Sequence, residues 1–265
     1  MTLSESELAA RPTESSRLGG TVRVRDVSKV FGQRGDTTVA LNRISLDVPS
    51  GAFVALVGAS GCGKSTLLNL IAGLEKPTLG DVTLNGRCAL IFQEAALFPW
   101  MTVAQNVSLA LKLRGVPRRE RAGIVAELLE TVHLQDFAGH QPHELSGGMR
   151  QRVAIARAFA QEAEVLLMDE PFGALDAMTR DLLHDELERL WLDRGFTCVF
   201  VTHNVREAVR LADRVEVLTS RPGTIAETFE VPFARPRRIE DPEVAALAGV
   251  ITTRLRQEVR SHATE

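Results

Sequence analysis

Phe53-Val54-Ala55-Leu56-Val57-Gly58-Ala59-Ser60-Gly61-Cys62-Gly63-Lys64-Ser65-Thr66 decides the fold class of this 265-residue chain. Its opening apolar run suits a strand buried on both faces, as in the centre of a parallel sheet. The residues Gly58 to Thr66 fit G-x-x-x-x-G-K-[ST]. A helix from about Lys64 to Ala72, closed by Gly73, completes the strand–loop–helix context that the motif requires. Glycines let backbone N–H groups curl around phosphate oxygens, and the helix N-terminus adds positive potential. Lys64 is placed to reach the β- and γ-phosphates of a nucleoside triphosphate, and the Ser65 hydroxyl to ligate Mg²⁺. A chance glycine-rich turn is the plain alternative, and the flanking strand and helix count against it.

Outward from this loop the pattern alternates between strands and helices. Val22–Val27 and Ile44–Val48 alternate like half-buried strands, and Asp81–Leu84 and Ala89–Phe92 read as two more. After Gln93 the character turns helical: Val103–Arg114 and Arg118–Val132 precede a helix whose apolar side runs Val153, Ile155, Ala158 and Phe159. Buried-strand runs resume at Val165–Met168 and Thr197–Val201, separated by an amphipathic helix from Met178 to Arg194. Val215–Leu218, a turn at 221–223, a strand near 224–229 and a helix from Pro242 finish the chain. The expected organisation is a flexible tail over 1–20, an α/β domain over 21–233 with a helical insertion at about 94–157, and a helical extension over 234–265.

Three further stretches carry chemistry. Val165-Leu-Leu-Met-Asp169-Glu170 ends an apolar strand on two acids: Asp169 is placed to hold Mg²⁺, and Glu170 to take a proton from the attacking water or orient it. Paired acids here could instead cap the next helix. His203 follows the Thr197–Val201 strand on the side where α/β proteins bind ligands, which favours a γ-phosphate contact over a purely structural role. Leu145-Ser146-Gly147-Gly148-Met149-Arg150-Gln151-Arg152 opens a helix with bare backbone N–H groups, an anion-binding arrangement. It lies on the helical insertion, too far from its own phosphate loop to complete that site. Ser146 and Gly148 are therefore expected to face the γ-phosphate held by a second subunit, two such sites forming at once in a C₂ dimer. Gln93 ends a strand and can coordinate Mg²⁺ or water, although spacing alone fits a surface glutamine equally well.

Composition narrows the setting. Apolar content of 45% and charged content of 25% are those of an ordinary globular protein. A net charge of −3 gives no electrostatic reason to expect nucleic acid. Pro117–Arg121 and Arg235–Arg238 are short basic clusters flanked by acids, expected on solvated faces. No apolar run reaches the ~18–20 residues a bilayer-spanning helix needs, and Met1–Gly20 lacks the plan of a signal peptide. The scattered cysteines Cys62, Cys88 and Cys198 suggest neither a disulfide framework nor a zinc site. A cytosolic protein is expected, whose membrane role would need a partner.

Together these motifs resemble the ATP-binding subunit of ABC transporters over about Thr21 to Phe233. The resemblance implies a P-loop NTPase (RecA-like) parallel-sheet core with an antiparallel β subdomain and an α-helical arm. Its cofactors would be ATP and Mg²⁺. Gly58, Ala59, Ser60, Gly61, Cys62, Gly63, Lys64, Ser65 and Thr66 look like Walker A, and Gln93 like the Q-loop. Ser146, Gly147, Gly148 and Gln151 belong to the signature segment. Asp169 with Glu170 looks like Walker B plus the catalytic glutamate, Asp176 like the D-loop, and His203 like the switch histidine. Ser65, Gln93 and Asp169 would form the metal site. Phe31 stands where the family places an aromatic residue, often tyrosine, that stacks on adenine; a core phenylalanine is its alternative.

Phe92–Trp100, Met168–Arg180 and Ser220–Gly223 resemble the nitrate/sulfonate/taurine branch of bacterial importers. That branch implies a homodimer on the cytoplasmic face of the membrane, transmembrane permease subunits reached near Gln93 to Trp100, and a solute-binding protein. The short stretch after Phe233 implies that the regulatory β-domain of sugar-importer ATPases is absent. A soluble ABC-type ATPase acting on DNA or ribosomes is the alternative. It would carry long coiled-coil insertions or two cassettes, and neither is visible here. One departure stands out: only Cys88 and Ala89 join Arg87 to Leu90, where the family has a longer connection, so altered geometry is expected around Gln93.

Overall fold

The structure is a computed structural model that describes residues 19–33 and 36–262. Most of the expected N-terminal tail lies outside those residues. Two sheets organise the chain. One is a three-stranded antiparallel sheet, ordered β2-β1-β4, made of β1 (Thr21–Gln33), β2 (Asp36–Val48) and β4 (Leu79–Asn85). The other has six strands, ordered β5-β6-β7-β3-β8-β9. Its members are β3 (Phe53–Val57), β5 (Cys88–Ile91), β6 (Val165–Asp169), β7 (Thr197–Thr202), β8 (Arg214–Leu218) and β9 (Ile225–Glu230). All its pairings are parallel except that of β9, which runs antiparallel along the edge.

Strands β3, β6 and β7 are buried at every position because both faces of the sheet are covered. Side-chain alternation sends Phe53, Ala55 and Val57 into one core, and Val54 and Leu56 into the other. The first core is closed by α2 (Val103–Leu113), α3 (Arg118–Thr131), α4 (Gly147–Phe159), α5 (Ala177–Arg194) and α6 (Val205–Leu211). The second is closed by α1 (Lys64–Ile71) and the antiparallel sheet. The final helix, α7 (Pro242–His262), places Val244, Ala248 and Ile251 in the first core.

Several sequence expectations are corrected. The β1–β2 hairpin is far longer than its two apolar stretches, because its outer half projects beyond the core and carries polar residues. Helix α6 shows no amphipathic stripe, since Val205, Glu207, Ala208, Val209, Arg210 and Leu211 are all buried. The Arg235–Arg238 cluster is not a solvated face. Arg237 is 3% exposed and donates to the carbonyls of Phe233, Val209, Ala212 and Val231. Arg235 pairs with Glu188 and Asp213 and lies 4.4 Å over the Trp191 ring.

The short connection before Gln93 is a turn. Gly86 has φ +102, and a Cβ there would fall 2.4 Å from a Glu164 carboxylate oxygen. That carboxylate accepts from the Arg87 amide at 3.0 Å, while the Arg87 carbonyl accepts from Glu164 and Val165 amides. The turn is thus pinned directly to the start of β6, and β5 enters the parallel sheet in register.

Candidate active site

Parallel register explains why distant motifs meet. Pairing of Ile91 with Met168 brings Gln93, two residues past β5, and Glu170, one residue past β6, to the same sheet edge. Asp169 pairs with Val201, and Val57 with Thr202, which brings Glu170, His203 and the phosphate loop to the same sheet edge. Ligands in α/β sheets bind beyond the carboxyl ends of the strands, where these residues sit. A cavity of about 420 Å³ opens there, lined by Ser60, Gly61, Gly63, Lys64, Ser65 and Thr66, with Gln93, Glu170 and His203 facing them.

The loop's shape depends on glycine at a specific point. Gly63 has φ +100, and a Cβ would fall 2.5 Å from Leu41 Cδ2 and 3.0 Å from the Ala40 carbonyl. The Lys64 ammonium is held inside the loop, donating to the Gly58 and Ala59 carbonyls at 2.9 Å each. Cys62 Sγ lies 3.8 Å from the same ammonium. Burial pushes the Cys62 thiol up, only partly offset by Lys64, so it stays a neutral packing group.

Behind the loop, Asp169 is buried and its Oδ1 has no hydrogen-bond partner. Burial raises its carboxyl above the usual range, the Ser65 hydroxyl lowers it, and Glu170 raises it again. A desolvated carboxylate with an unused oxygen beside a serine hydroxyl suits a hard divalent cation. Glu170 adopts φ +45, a region that costs a non-glycine residue ~1–3 kcal/mol. Its amide donates to the Val201 carbonyl at 3.0 Å, and its Oε2 meets His203 Nδ1 at 2.9 Å. The strained turn points the carboxylate out of β6 towards the end of β7.

Phe31 lines the same cavity from the hairpin, 39% exposed, with the Lys29 ammonium 4.8 Å from its ring centroid; it is not a core residue. Thr38, its cross-strand partner, and Ala40 join it, as does Arg221, whose Nη2 donates to the Gly61 carbonyl at 3.4 Å. Sequence reasoning missed these three. Arg221 had a signal in its Ser220–Gly223 segment, whereas Thr38 and Ala40 had none.

The segment at 145–152 lies elsewhere, and none of its residues lines the cavity. Ser146 caps α4, its Oγ accepting from the Met149 amide at 3.2 Å, and Ser146 and Gly147 are exposed. Gly148 packs against the next loop: a Cβ would stand 3.2 Å from the Ala174 carbonyl and 3.3 Å from Leu175. Gln151 does not share this surface. It is 2% exposed and donates to the Phe92 carbonyl at 3.2 Å, because residues 148, 151 and 155 form the inner face of the helix. Asp176 caps α5 through the Thr179 amide at 2.9 Å, which lowers its carboxyl.

The family described as "ABC transporter" matches residues 41–173. The taurine import ATP-binding protein TauB of Rhizobium johnstonii is 44% identical over 256 residues, covering 92% of this chain and 97% of that protein. The aliphatic sulfonates import ATP-binding protein SsuB 1 of Mesorhizobium japonicum is 48% identical over 239 residues, 87% of each chain. A solved structure, the dimeric ABC transporter cassette MJ0796, superposes with a TM-score of 0.75 at 32% identity, covering 80% of this chain and all of that one. The same cassette has been solved as a dimer in a post-hydrolysis state bound to ADP and Pi, with a TM-score of 0.74. With the strand–loop–helix motif, the acidic strand end and these relatives in agreement, the chain belongs to the ABC transporter family, as one of its ATP-binding subunits.

Proposed function

We propose that this chain hydrolyses ATP to drive solute import, in an ABC importer of the nitrate/sulfonate/taurine class. The observation that carries the reading is the Glu170–His203 contact of 2.9 Å at the mouth of the cavity that Lys64 and Ser65 line. The import class rests on relatives named for taurine, sulfonate and nitrate import.

Phosphoryl transfer to water depends on positioning and charge more than on covalent chemistry. The loop amides and Lys64 take the β- and γ-phosphates, and the Phe31 ring offers a face to adenine. Glu170 orients the attacking water and accepts its proton, a role typically worth ~10²–10⁴-fold in rate. His203 holds that carboxylate in place and reaches towards the γ-phosphate. Asp169 and Ser65 would hold Mg²⁺, with Gln93 nearby, and the unpartnered Asp169 oxygen fits this. The cation would neutralise phosphate charge as it develops.

Ser146, Gly147 and Gly148 would face the γ-phosphate of a second copy, making dimer closure the output of ATP binding. Membrane permease subunits would follow that closure along the segment from Gln93 to Trp100, where the Phe98 and Trp100 rings meet tilted at 5.7 Å and Trp100 is 70% exposed. A solute-binding protein would deliver the cargo. The protein would then work on the cytoplasmic face of the membrane; among the described residues no helix is long and apolar enough to cross it.

Glu170→Gln tests this reading. The variant should bind ATP, lose at least ~100-fold in turnover, and accumulate as an ATP-bound dimer in size-exclusion chromatography. Turnover at the parental rate would refute the water-activating role.

A further inference from the structure

Behind the Glu170–His203 pair lies a second, smaller cavity of about 40 Å³, whose far wall is Arg180, Thr202 and Glu207. Glu207 sits in the first turn of α6 and is buried. The Thr202 hydroxyl donates to Glu207 Oε2 at 2.8 Å and accepts from the Asn204 amide at 3.0 Å, so one side chain brackets His203 from both sides. Arg180 Nε stands 3.5 Å from Glu207 Oε1. The same guanidinium donates from Nη2 to the Leu175 carbonyl at 2.9 Å, one residue before Asp176 and in the loop against which Gly148 packs.

Charge makes this arrangement consequential. Burial pushes the Glu207 carboxyl up, while the Thr202 hydroxyl and Arg180 pull it back. The Asn204 side chain adds a further hydrogen bond to this carboxyl, whereas His184, whose Nε2 lies 4.0 Å away, is a ring that burial, Arg210 and Arg180 keep neutral. Arg180 is therefore the larger of the two charged groups that stabilise this carboxylate, ahead of His203. Glu207 is the buried member of the pair, Arg180 being 29% exposed, so loss of Arg180 leaves a buried charge uncompensated and the surrounding backbone must shift to solvate it. The backbone nearest to Glu207 is the Thr202-His203-Asn204 turn.

We propose that Arg180 and Glu207 are positioning residues for hydrolysis: they hold the Thr202-His203-Asn204 turn in register with Glu170 and tie it to the Leu175-Asp176 loop. This rests on reading Glu170 and His203 as the hydrolytic pair. Neither Arg180 nor Glu207 lines the nucleotide cavity, so their effect passes through His203 and appears in kcat and not in KM for ATP.

The test is a double-mutant cycle on steady-state ATPase activity, with Glu207→Gln, His203→Ala and both together. Glutamine keeps an oxygen for the Thr202 hydroxyl and removes the charge facing Arg180. Glu207→Gln should lower kcat roughly tenfold with KM for ATP held within about twofold, and should lower it no further in the His203→Ala background. Arg180→Gln should match Glu207→Gln, and Arg180→Lys should restore most of the loss. Parental kcat in Glu207→Gln, or losses that multiply in the double variant, would overturn the inference. If Glu207→Gln unfolds at the assay temperature, Arg180→Gln with His203→Ala forms the same cycle. His203→Ala at parental kcat would instead refute the hydrolytic pair itself.

Discussion

Two glycine-rich turns open helices in this protein, Gly58–Gly63 ahead of α1 and Leu145–Gly148 ahead of α4, and their surroundings differ sharply. The first lies between β3, the hairpin and the ends of β6 and β7, with Ser60 and Gly61 exposed towards the cavity. Its lysine is buried, a carboxylate with one unpartnered oxygen lies behind it, and a glutamate–histidine pair faces it. The second likewise exposes two residues, Ser146 and Gly147, but its serine hydroxyl already accepts the Met149 amide and none of its residues lines the cavity. Both can bind an anion through backbone N–H groups. Only the first is surrounded by groups that can move a proton or hold a cation. The acid–base and cation-holding groups thus lie beside the first turn alone, and under the proposed reading the second turn would act only against another copy of the first.

The sharpest way to break this comparison is to disable the turns separately. Lys64→Ala and Ser146→Arg homodimers should each lose ATPase activity by at least ~100-fold, a value typical of losing a main electrostatic contact to the reacting group. An equimolar mixture should recover activity. Heterodimers make up half of a random mixture, and each holds one intact pair of turns, so about a quarter of all sites are restored. Recovery near that fraction in a coupled-enzyme assay supports completion in trans. A mixture as inactive as its components would show that each chain completes its own site.

The first turn was legible because each residue from Phe53 to Thr66 follows a local rule: a buried strand, a glycine loop, a helix start. The β6 and β7 motifs were legible for the same reason, each being an apolar run that ends on a polar group. Sequence failed where charge was buried. Arg235 and Arg237 read as solvated because arginine usually is, yet backbone carbonyls and the Trp191 ring enclose them. Helix α6 was invisible because burial of every residue but Arg206 erases the period that marks a surface helix. Gln151 was grouped with Ser146, Gly147 and Gly148 because it shares their motif, although helix phase turns it inward. Thr38 and Ala40 reach the cavity only through the register of a hairpin whose outer half carries no apolar pattern.

The supports behind the first turn should also make stability depend on pH in a way the exposed second turn does not. Burial, with Arg210 and Arg180 nearby, takes the His184 imidazole down to about 3. Between about pH 6.5 and 3 the unfolded chain binds a proton at this histidine that the folded chain refuses, so stability falls as pH falls through that window. The contribution is on the order of a few kcal/mol. The raised carboxyls of Asp169 and Glu207 act in the opposite sense, because the folded state protonates them more readily. His184→Gln removes only the histidine contribution. Denaturant titrations from pH 7 to 4 should therefore give a shallower decline for the variant, and parallel declines would refute the assignment.

The smallest expected effect lies at the rim of the first turn. Phe31 sits on the long hairpin, 39% exposed, with its ring between the cavity and the Lys29 ammonium. Replacing it with leucine keeps apolar bulk and removes the flat π-face. An aromatic stacking contact adds ~0.5–1.5 kcal/mol beyond simple area burial, so KM for ATP should rise about two- to tenfold. Because no reacting atom is near the ring, kcat should stay at the parental value. Tryptophan at this position offers a larger face and should hold KM at or below the parental figure. An unchanged KM in Phe31→Leu would place the base elsewhere, and would reduce the first turn's advantage over the second to its phosphate and acid–base groups alone.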